Sequence, residues 1–317
     1  MISHQLVFRP LMHALAERGH EVVVITPDPA FPNGGGPLSL IEVNIHNMSY
    51  SLWREQTSKS QGNSQDIFSQ TQSGRELIIQ LFKRQMQSEE VINVLENFQF
   101  DLIITEAFFR PYMILAQFFN CPLILMSSFG TTYGHPATMG APVNPLLYPN
   151  VLRSRIDNLT LSEMFNELYV DMILEAYVKT DDRRFNEVNK ALFPNAKDLS
   201  LIEEKIQLMF LYTHPLWERL RPVPQNVVYI IGIQDKPPKE LTKDLKSFLD
   251  TSKHGVIYMS FGTSVNTELL PPSIIQMFVN VFSKLPYDIL WKWDADILPG
   301  LSDNIKIKKW IPQKDVL

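Results

Sequence analysis

The sequence predicts an α/β protein with two Rossmann-like domains, each built around a parallel β-sheet. Apolar runs such as residues 21–26 and 101–105 are near-continuous rather than alternating, which is typical of strands buried on both faces. Helix-like segments separate these runs along the chain, and strands that alternate with helices favour parallel sheets. A polar, proline-rich stretch at 233–239 predicts a boundary between a first domain, 1–235, and a second domain, 236–317.

The first domain begins with a helix predicted over residues 6–18, which Gly19 should end as a left-handed cap. Pro10 either kinks this helix or lies in its first turn. Residues 27–73 contain many prolines and glycines and predict mostly loop, with a short strand at 40–43. The patterns then predict, in order, helix 75–97, strand 101–105, helix 111–119, strand 122–126, loop 129–150, a helix from a capping box at 160–163 to about 179 and after a break to 192, and strands 207–212 and 227–231.

The second domain repeats the rhythm on a smaller scale. The patterns predict helix 240–250, strand 255–260, helix 271–284, and strands 288–293 and 305–309.

Composition excludes several classes of function. The net charge is −5, and Lys306, Lys308 and Lys309 alternate as on a solvated strand edge, so no nucleic-acid partner is expected. The single cysteine, Cys121, lies in an apolar stretch and predicts a buried, inert thiol. The sequence contains no uninterrupted run of about 18 apolar residues, so it predicts no membrane span. Asn47 and Asn158 begin sequons that would permit glycosylation in a lumenal protein.

Two residues of the first domain are candidates for acid–base chemistry. His4 is expected just before the first helix, where the positive end of the helix dipole favours a neutral imidazole that can accept a proton. From composition alone, an exposed terminal histidine is the simpler interpretation. Glu106 directly follows the strand 101–105, where ligands of open α/β sheets bind. It could hold His4 and stabilise its protonated form, or it could be a helix-cap acid.

The second domain offers a candidate nucleotide-binding site. Residues Ser260–Ser264 follow a predicted strand, and such a loop either approaches a pyrophosphate or is a simple turn. Trp310, Pro312 and Gln313 could form a slot for a flat polar base on a ribose. The seven histidines are dispersed and no Cys/His spacing resembles a ligand set, so no metal site is predicted. A nicotinamide-dependent oxidoreductase is disfavoured because no Gly-x-Gly-x-x-Gly run is present.

Four passages together resemble the UDP-glycosyltransferases of animals, and most of all their insect members. They are Ser3–Gln5 with Phe8–Leu11, Gly19–Thr26, Tyr258–Thr263, and Trp310–Gln313, and the similarity spans nearly the whole chain. The resemblance implies a GT-B fold, in which the first domain holds a small lipophilic acceptor and the second holds a UDP-sugar.

The resemblance also implies roles for individual residues. His4 would be the catalytic base that deprotonates an acceptor hydroxyl, which inverts the anomeric carbon while UDP leaves without a metal or other cofactor. Trp310 would stack on uracil, Gln313 would contact the ribose, and Thr263 with Ser264 would lie near the phosphates. His135 would belong to a variable acceptor-side loop. Glu106 stands where the family usually has Asp, one methylene shorter.

Further expectations follow from the family's usual length. A first strand would precede Ser3, after a signal peptide, and donor-binding segments and a membrane helix would follow Leu317. We therefore expect the 317 residues alone to be inactive or nearly so. The whole family member would lie on the lumenal side of the endoplasmic reticulum membrane, held there by that helix. The sequence is also compatible with a homo-oligomer. The alternative function is a truncated, non-catalytic binder of small molecules.

Overall fold

The computed structural model divides the chain into two compact units. The first unit contains His4–Arg54 and Ile67–Gln234, and the second is chiefly Asp235–Leu317. The described residues are 2–60, 67–131, 135–148, 153, 155, 157–235, 237–263 and 265–317, with side chains described outside 56–60, 67–71 and 135–136.

The first unit carries two parallel sheets. Its elements are α1 (Ile2–Glu17), β1 (Val22–Thr26), β2 (Leu40–Asn44), α2 (His46–Ser60), α3 (Ile67–Met86), α4 (Glu89–Asn97), β3 (Ile103–Glu106), a 3-10 turn (Arg110–Met113), α5 (Ile114–Phe118), β4 (Leu123–Ser127), α6 (His135–Thr138), α7 (Leu161–Leu192), α8 (Leu199–Glu203), β5 (Ile206–Leu211) and β6 (Val227–Tyr229). Strands β1 and β2 form one sheet, and the other has the order β3-β4-β5-β6. Within the described residues, β1 therefore pairs only with β2, and β3 only with β4.

The four-stranded sheet lies in the main apolar core. All five residues of β4 are buried, as expected for a central strand covered on both faces. Phe82 of α3, Met113 and Leu199 of α8 are almost fully buried in the same cluster. Cys121 is buried there too, as the sequence predicts, and burial raises the pKa of its thiol. The core thus fixes β3 and β4, whose carboxyl ends lie at one edge of the sheet.

Two predictions about the ends of helices are confirmed. Gly19 follows α1 with a φ of 90°, in the left-handed region that glycine adopts at little cost. Thr160 and Glu163 form the predicted capping box, in which the Glu163 carboxylate accepts the Thr160 N–H at 2.7 Å. The helix that follows, α7, runs to Leu192 without the expected break.

Several element boundaries were wrong. Helix α1 begins at Ile2 rather than at residue 6, and Pro10 lies in its interior. Helix α2 and the start of α3 occupy part of the region 27–73 that was expected to be loop. The prediction missed α2 because this helix is polar overall and only a few of its side chains, such as Leu52, are buried. The predicted helix 75–97 is two helices, since Ser88 caps α4 with its hydroxyl. Short helices α6 and α8 were not predicted.

The second unit contains one three-stranded parallel sheet. Its elements are α9 (Lys243–Thr251), β7 (Val256–Met259), a 3-10 turn (Thr267–Leu269), α10 (Pro272–Phe282), β8 (Asp288–Lys292), β9 (Ile305–Lys308) and α11 (Gln313–Val316). The strand order is β7-β8-β9, with Trp291 of β8 fully buried at the centre. Lys306 and Lys308 on β9 pair with Asp244, which accounts for the basic run. In the described part of the chain, no helix is long and apolar enough to cross a bilayer.

Candidate functional site

His4 lies in the first turn of α1, inside the helix rather than before it. Its side chain is only 11% exposed, so the interpretation as an exposed terminal histidine is wrong. Nδ1 lies 3.1 Å from Glu106 Oε2 and 2.6 Å from Ser128 Oγ. The structure therefore brings together His4 and Glu106, which are 102 positions apart in the sequence.

Glu106 is the last residue of β3, and both of its carboxylate oxygens are used. Oε2 faces His4, while Oε1 accepts the backbone N–H of Ser128 at 3.2 Å and that of Phe108 at 3.5 Å. The side chain is 8% exposed. An ionised carboxylate only accepts hydrogen bonds, so the His4 contact requires Nδ1 to carry the proton. Nε2 is then the nitrogen with a free lone pair, which is the arrangement that a general base needs.

Ser128 is a residue of this cluster that the sequence analysis missed. Strand β4 pairs with β3 so that Met126 lies opposite Glu106, and Ser128 follows two residues later. Because the carboxyl ends of neighbouring parallel strands meet at one sheet edge, a polar residue just beyond β4 could have been predicted to reach Glu106.

Aromatic side chains surround the His4 imidazole. Phe129 meets it edge-on, with ring centroids 4.8 Å apart and an angle of 90°, and Phe109 stacks at 6.2 Å. Phe108 and Phe129 are 48% and 49% exposed, which leaves apolar ring surface open beside a buried polar cluster. Such a surface suits a ligand with a hydroxyl on an apolar skeleton.

The first turn of α1 is anchored on β1 by a second network. Gln5 donates to Asp28 Oδ2 at 2.6 Å and contacts the hydroxyl of Thr26, the last residue of β1. Tyr50 donates to the same Asp28 oxygen at 2.9 Å. Burial, and then the hydrogen bond to Asp28, raise the pKa of Tyr50 to about 12, so this hydroxyl stays protonated near neutral pH. The residue next to His4 is thereby fixed to the sheet.

The predicted donor residues of the second unit follow the carboxyl ends of its strands. Thr263 lies in an exposed turn after β7, in which Gly262 has a φ of 72°. Trp310 follows β9 and is 63% exposed, whereas Trp291 and Trp293 are buried. Gln313 begins α11 and accepts a hydrogen bond from Tyr258 of β7 at 3.4 Å. An exposed indole at a sheet edge offers a flat stacking surface.

A family model, described as UDP-glucoronosyl and UDP-glucosyl transferase, matches residues 1–317. The chain belongs to this family.

Relatives within the UDP-glycosyltransferase family include viral and insect proteins. An ecdysteroid UDP-glucosyltransferase of Spodoptera littoralis nuclear polyhedrosis virus is 31% identical, covering 99% of this chain and 65% of the viral protein. The UDP-glycosyltransferase UGT5 of Dactylopius coccus is 28% identical, covering 99% of this chain and 61% of the insect protein. The chain therefore spans slightly less than two thirds of the length of these relatives.

Solved structures show the same fold. The spinosyn forosaminyltransferase SpnP gives a TM-score of 0.57 at 14% identity, covering 100% of this chain and 70% of that one. UDP-glucose:anthocyanidin 3-O-glucosyltransferase, solved in complex with UDP, gives a TM-score of 0.52 at 13% identity, covering 98% of this chain and 70% of that one. This UDP-glycosyltransferase chain is therefore of the GT-B type, as its sequence resemblance implies.

A polar cluster at the carboxyl end of β8 was missed by the sequence analysis. Asp294, just beyond β8, accepts hydrogen bonds from the backbone N–H and the hydroxyl of Thr267 at 2.9 and 2.8 Å, and pairs with Lys292. Burial alone would raise the pKa of Asp294, but the hydrogen bonds from Lys292 and Thr267 outweigh it and lower that pKa. The cluster ties the carboxyl end of β8 to the turn that follows Thr263.

Two predicted residues fall wholly or partly outside what the structure describes. Ser264 lies outside the described residues, as does the side chain of His135, although His135 begins α6. Among the side chains that the structure does describe, no group of three His, Cys, Asp or Glu could hold a metal ion.

Proposed function

We propose that this chain carries the acceptor-activating site and part of the donor site of a UDP-sugar-dependent glycosyltransferase. The observation that carries the proposal is the 3.1 Å contact between His4 Nδ1 and Glu106 Oε2, which leaves His4 Nε2 free to take a proton. Family membership supplies the class of reaction.

The proposed reaction is a single displacement. The acceptor O–H gives its proton to His4 Nε2 as the oxygen attacks the anomeric carbon of the sugar. The bond from that carbon to UDP breaks, and UDP leaves with the electron pair. Attack opposite the leaving group inverts the anomeric centre. Glu106 holds the imidazole in the required tautomer and stabilises the imidazolium that forms, as in other base–carboxylate pairs.

The acceptor is proposed to be a small lipophilic alcohol or phenol. The exposed rings of Phe108 and Phe129 beside His4 support this class. The viral relatives are described as ecdysteroid UDP-glucosyltransferases, so a hydroxylated steroid is the first acceptor to test, with UDP-glucose and UDP-glucuronic acid as donors. On the donor side, Trp310 would stack on the uracil, Gln313 would contact the ribose, and Thr263 would approach the phosphates.

We further propose that the protein works in the lumen of the endoplasmic reticulum. Both sequon asparagines, Asn47 and Asn158, are exposed and so accessible to glycosylation.

The test is a transfer assay on the protein that carries this chain. We expect His4→Ala to lower kcat by about 10²- to 10⁴-fold, the range for a positioned general base. The matched control is His20→Ala, which removes an exposed imidazole just after the same helix and should leave kcat unchanged. Circular dichroism would confirm that both variants are folded. A folded His4→Ala variant with wild-type kcat would overturn the proposal.

A further inference from the structure

The segment Ser127–Thr131, here called the Ser128 loop, supplies much of the surroundings of His4. Its Ser128 contacts His4 Nδ1 and gives its N–H to Glu106, while its Phe129 meets the imidazole edge-on at 4.8 Å. Any shift of this loop would therefore move two neighbours of the imidazole at once.

The carboxylate of Glu218 holds the far end of the Ser128 loop. Glu218 Oε1 accepts the N–H of Thr131 at 2.7 Å, and Oε2 accepts its hydroxyl. The side chain is only 11% exposed. The near end of the loop is closed by the Ser127 hydroxyl, which donates to the carbonyl of Gly130 at 2.9 Å. The loop is thus fixed at both ends.

Gly130 is required for this approach. A Cβ built on Gly130 would lie 2.3 Å from Glu218 Oε1, far inside van der Waals contact. Any larger residue would push the carboxylate away from Thr131. The chain therefore has its smallest residue where the carboxylate passes closest to the loop backbone.

Glu218 itself lies in a strained turn. The next two residues, Arg219 and Leu220, both have positive φ, 52° and 53°, although neither is glycine. The turn is closed by the Leu220 N–H, which donates to the Pro215 carbonyl at 2.8 Å. Non-glycine residues rarely adopt the left-handed region, and such strained residues cluster where a side chain must be held for function.

We propose that Glu218 is a positioning residue for His4, acting through the Ser128 loop. Its carboxylate fixes Thr131 and, with it, the positions of Ser128 and Phe129 against the imidazole. This inference rests on the proposed role of His4 as the general base, but the geometry that it describes can be tested without measuring transfer.

The first test observes the His4 ring directly. Its imidazole proton and nitrogen resonances in the folded protein, assigned with His4→Ala, report the edge-on Phe129 ring and the hydrogen bonds at Nδ1. We expect Glu218→Ala to shift these resonances, and Glu218→Gln to shift them less, because its amide oxygen still accepts one of the two Thr131 hydrogen bonds.

The matched control is Glu42→Ala. Glu42 also holds a loop of the first unit, by accepting the N–H groups of Ala30 and Phe31 at 2.7 and 2.8 Å. Among the described residues, no hydrogen bond or ring contact joins that loop to His4. We expect Glu42→Ala to leave the His4 resonances in place. A general loss of stability would act on both variants alike, so it would not reproduce this difference.

A double-mutant cycle with Gly130 sharpens the test. Gly130→Ala should shift the His4 resonances in the same direction as Glu218→Ala, because its new Cβ displaces the carboxylate. In the double variant the clash is gone, so the shift should equal that of Glu218→Ala alone. In the transfer assay, Glu218→Ala should lower kcat about tenfold while the KM for the donor stays unchanged.

The outcomes separate the two proposals. Folded Glu218→Ala with unchanged His4 resonances overturns the positioning role, whatever the activity. Shifted resonances together with an active His4→Ala variant would keep the positioning role and remove the general base.

Discussion

Shortening Glu106 by one methylene tests how strictly the His4 site depends on the reach of its carboxylate. Glu106→Asp draws the carboxylate back by about 1.5 Å, the length of one C–C bond. If the backbone stays fixed, the 3.1 Å contact with His4 Nδ1 stretches to about 4.6 Å, beyond any hydrogen bond. The resemblance to the UDP-glycosyltransferases implies Asp at this position, so the substitution also asks whether this chain depends on the longer residue.

The size of the effect follows from the contacts that are lost. A hydrogen bond to a charged group contributes about 1.5–3 kcal/mol, and about 1.4 kcal/mol corresponds to a tenfold change in rate. Ser128 Oγ, at 2.6 Å from the same nitrogen, keeps a partner for Nδ1 and offsets part of the loss. We therefore expect kcat to fall by about tenfold for Glu106→Asp.

Glu106→Gln separates length from charge. The reach is kept, but both oxygens of Glu106 accept hydrogen bonds, from His4 and from Ser128, and an amide can accept at only one of these positions. We expect kcat to fall by about 10- to 100-fold, with the KM for the donor unchanged. The double variant with His4→Ala should be no slower than His4→Ala alone, because residues that act as one unit are not additive.

The assay is steady-state transfer at saturating donor and acceptor. If Glu106→Asp and Glu106→Gln both keep kcat within about twofold of wild type while His4→Ala abolishes transfer, then Glu106 does not orient His4, and the 3.1 Å contact has no catalytic meaning.

Two predictions concern the second unit. Trp310→Ala should weaken UDP binding by about 5- to 150-fold in calorimetry, since base–aromatic stacking contributes about 1–3 kcal/mol. Trp217→Ala, an exposed indole of the first unit, is the control, and an unchanged Kd for Trp310→Ala would rule out the stacking role. The lowered pKa of Asp294 predicts stability that is present above about pH 3.9 and is lost as the pH falls through the lower folded value. Urea unfolding followed by tryptophan emission should therefore depend less on pH below about 4 in Asp294→Asn than in wild type, with Asp250→Asn as the exposed control, and equal slopes would contradict the reasoning.

The alternation of apolar runs with helix-like segments was sufficient to predict the fold class. Strands β1, β3, β4, β7 and β8 lie within a few residues of their predicted places. Strands β4 and β8 are almost wholly buried, as a near-continuous apolar run predicts, whereas β1, β3 and β7 are mostly half-buried. Gly19 and the Thr160–Glu163 capping box were equally readable, since each meets a backbone requirement that few residues satisfy.

The weakly patterned segments could not be predicted in this way. Helix α2 is polar overall, and it is attached to the first unit by tertiary contacts such as that of Tyr50 with Asp28. Helix α8 has only five residues, but Leu199 and Ile202 are buried in the core. In both helices the stabilising contacts come from distant segments, which local periodicity does not reveal.

The residues of the candidate site likewise differ in how far the sequence alone could suggest them. His4 and Glu106 could be proposed as a pair because the resemblance to the UDP-glycosyltransferases singles them out, whereas the residues alone also allowed an exposed histidine and a helix-cap acid. Ser128 and Phe129 are common residue types, and their role depends on the strand register that places Met126 beside Glu106.

Glu218 is one step further removed, because it reaches His4 only through the Ser128 loop and lies in a turn with no predicted element. Its role could be inferred only from the structure, where its carboxylate approaches Gly130 closely and the next two residues have positive φ. If the positioning role is correct, substitutions at 130 and 218 should affect the His4 ring together, although neither residue touches it.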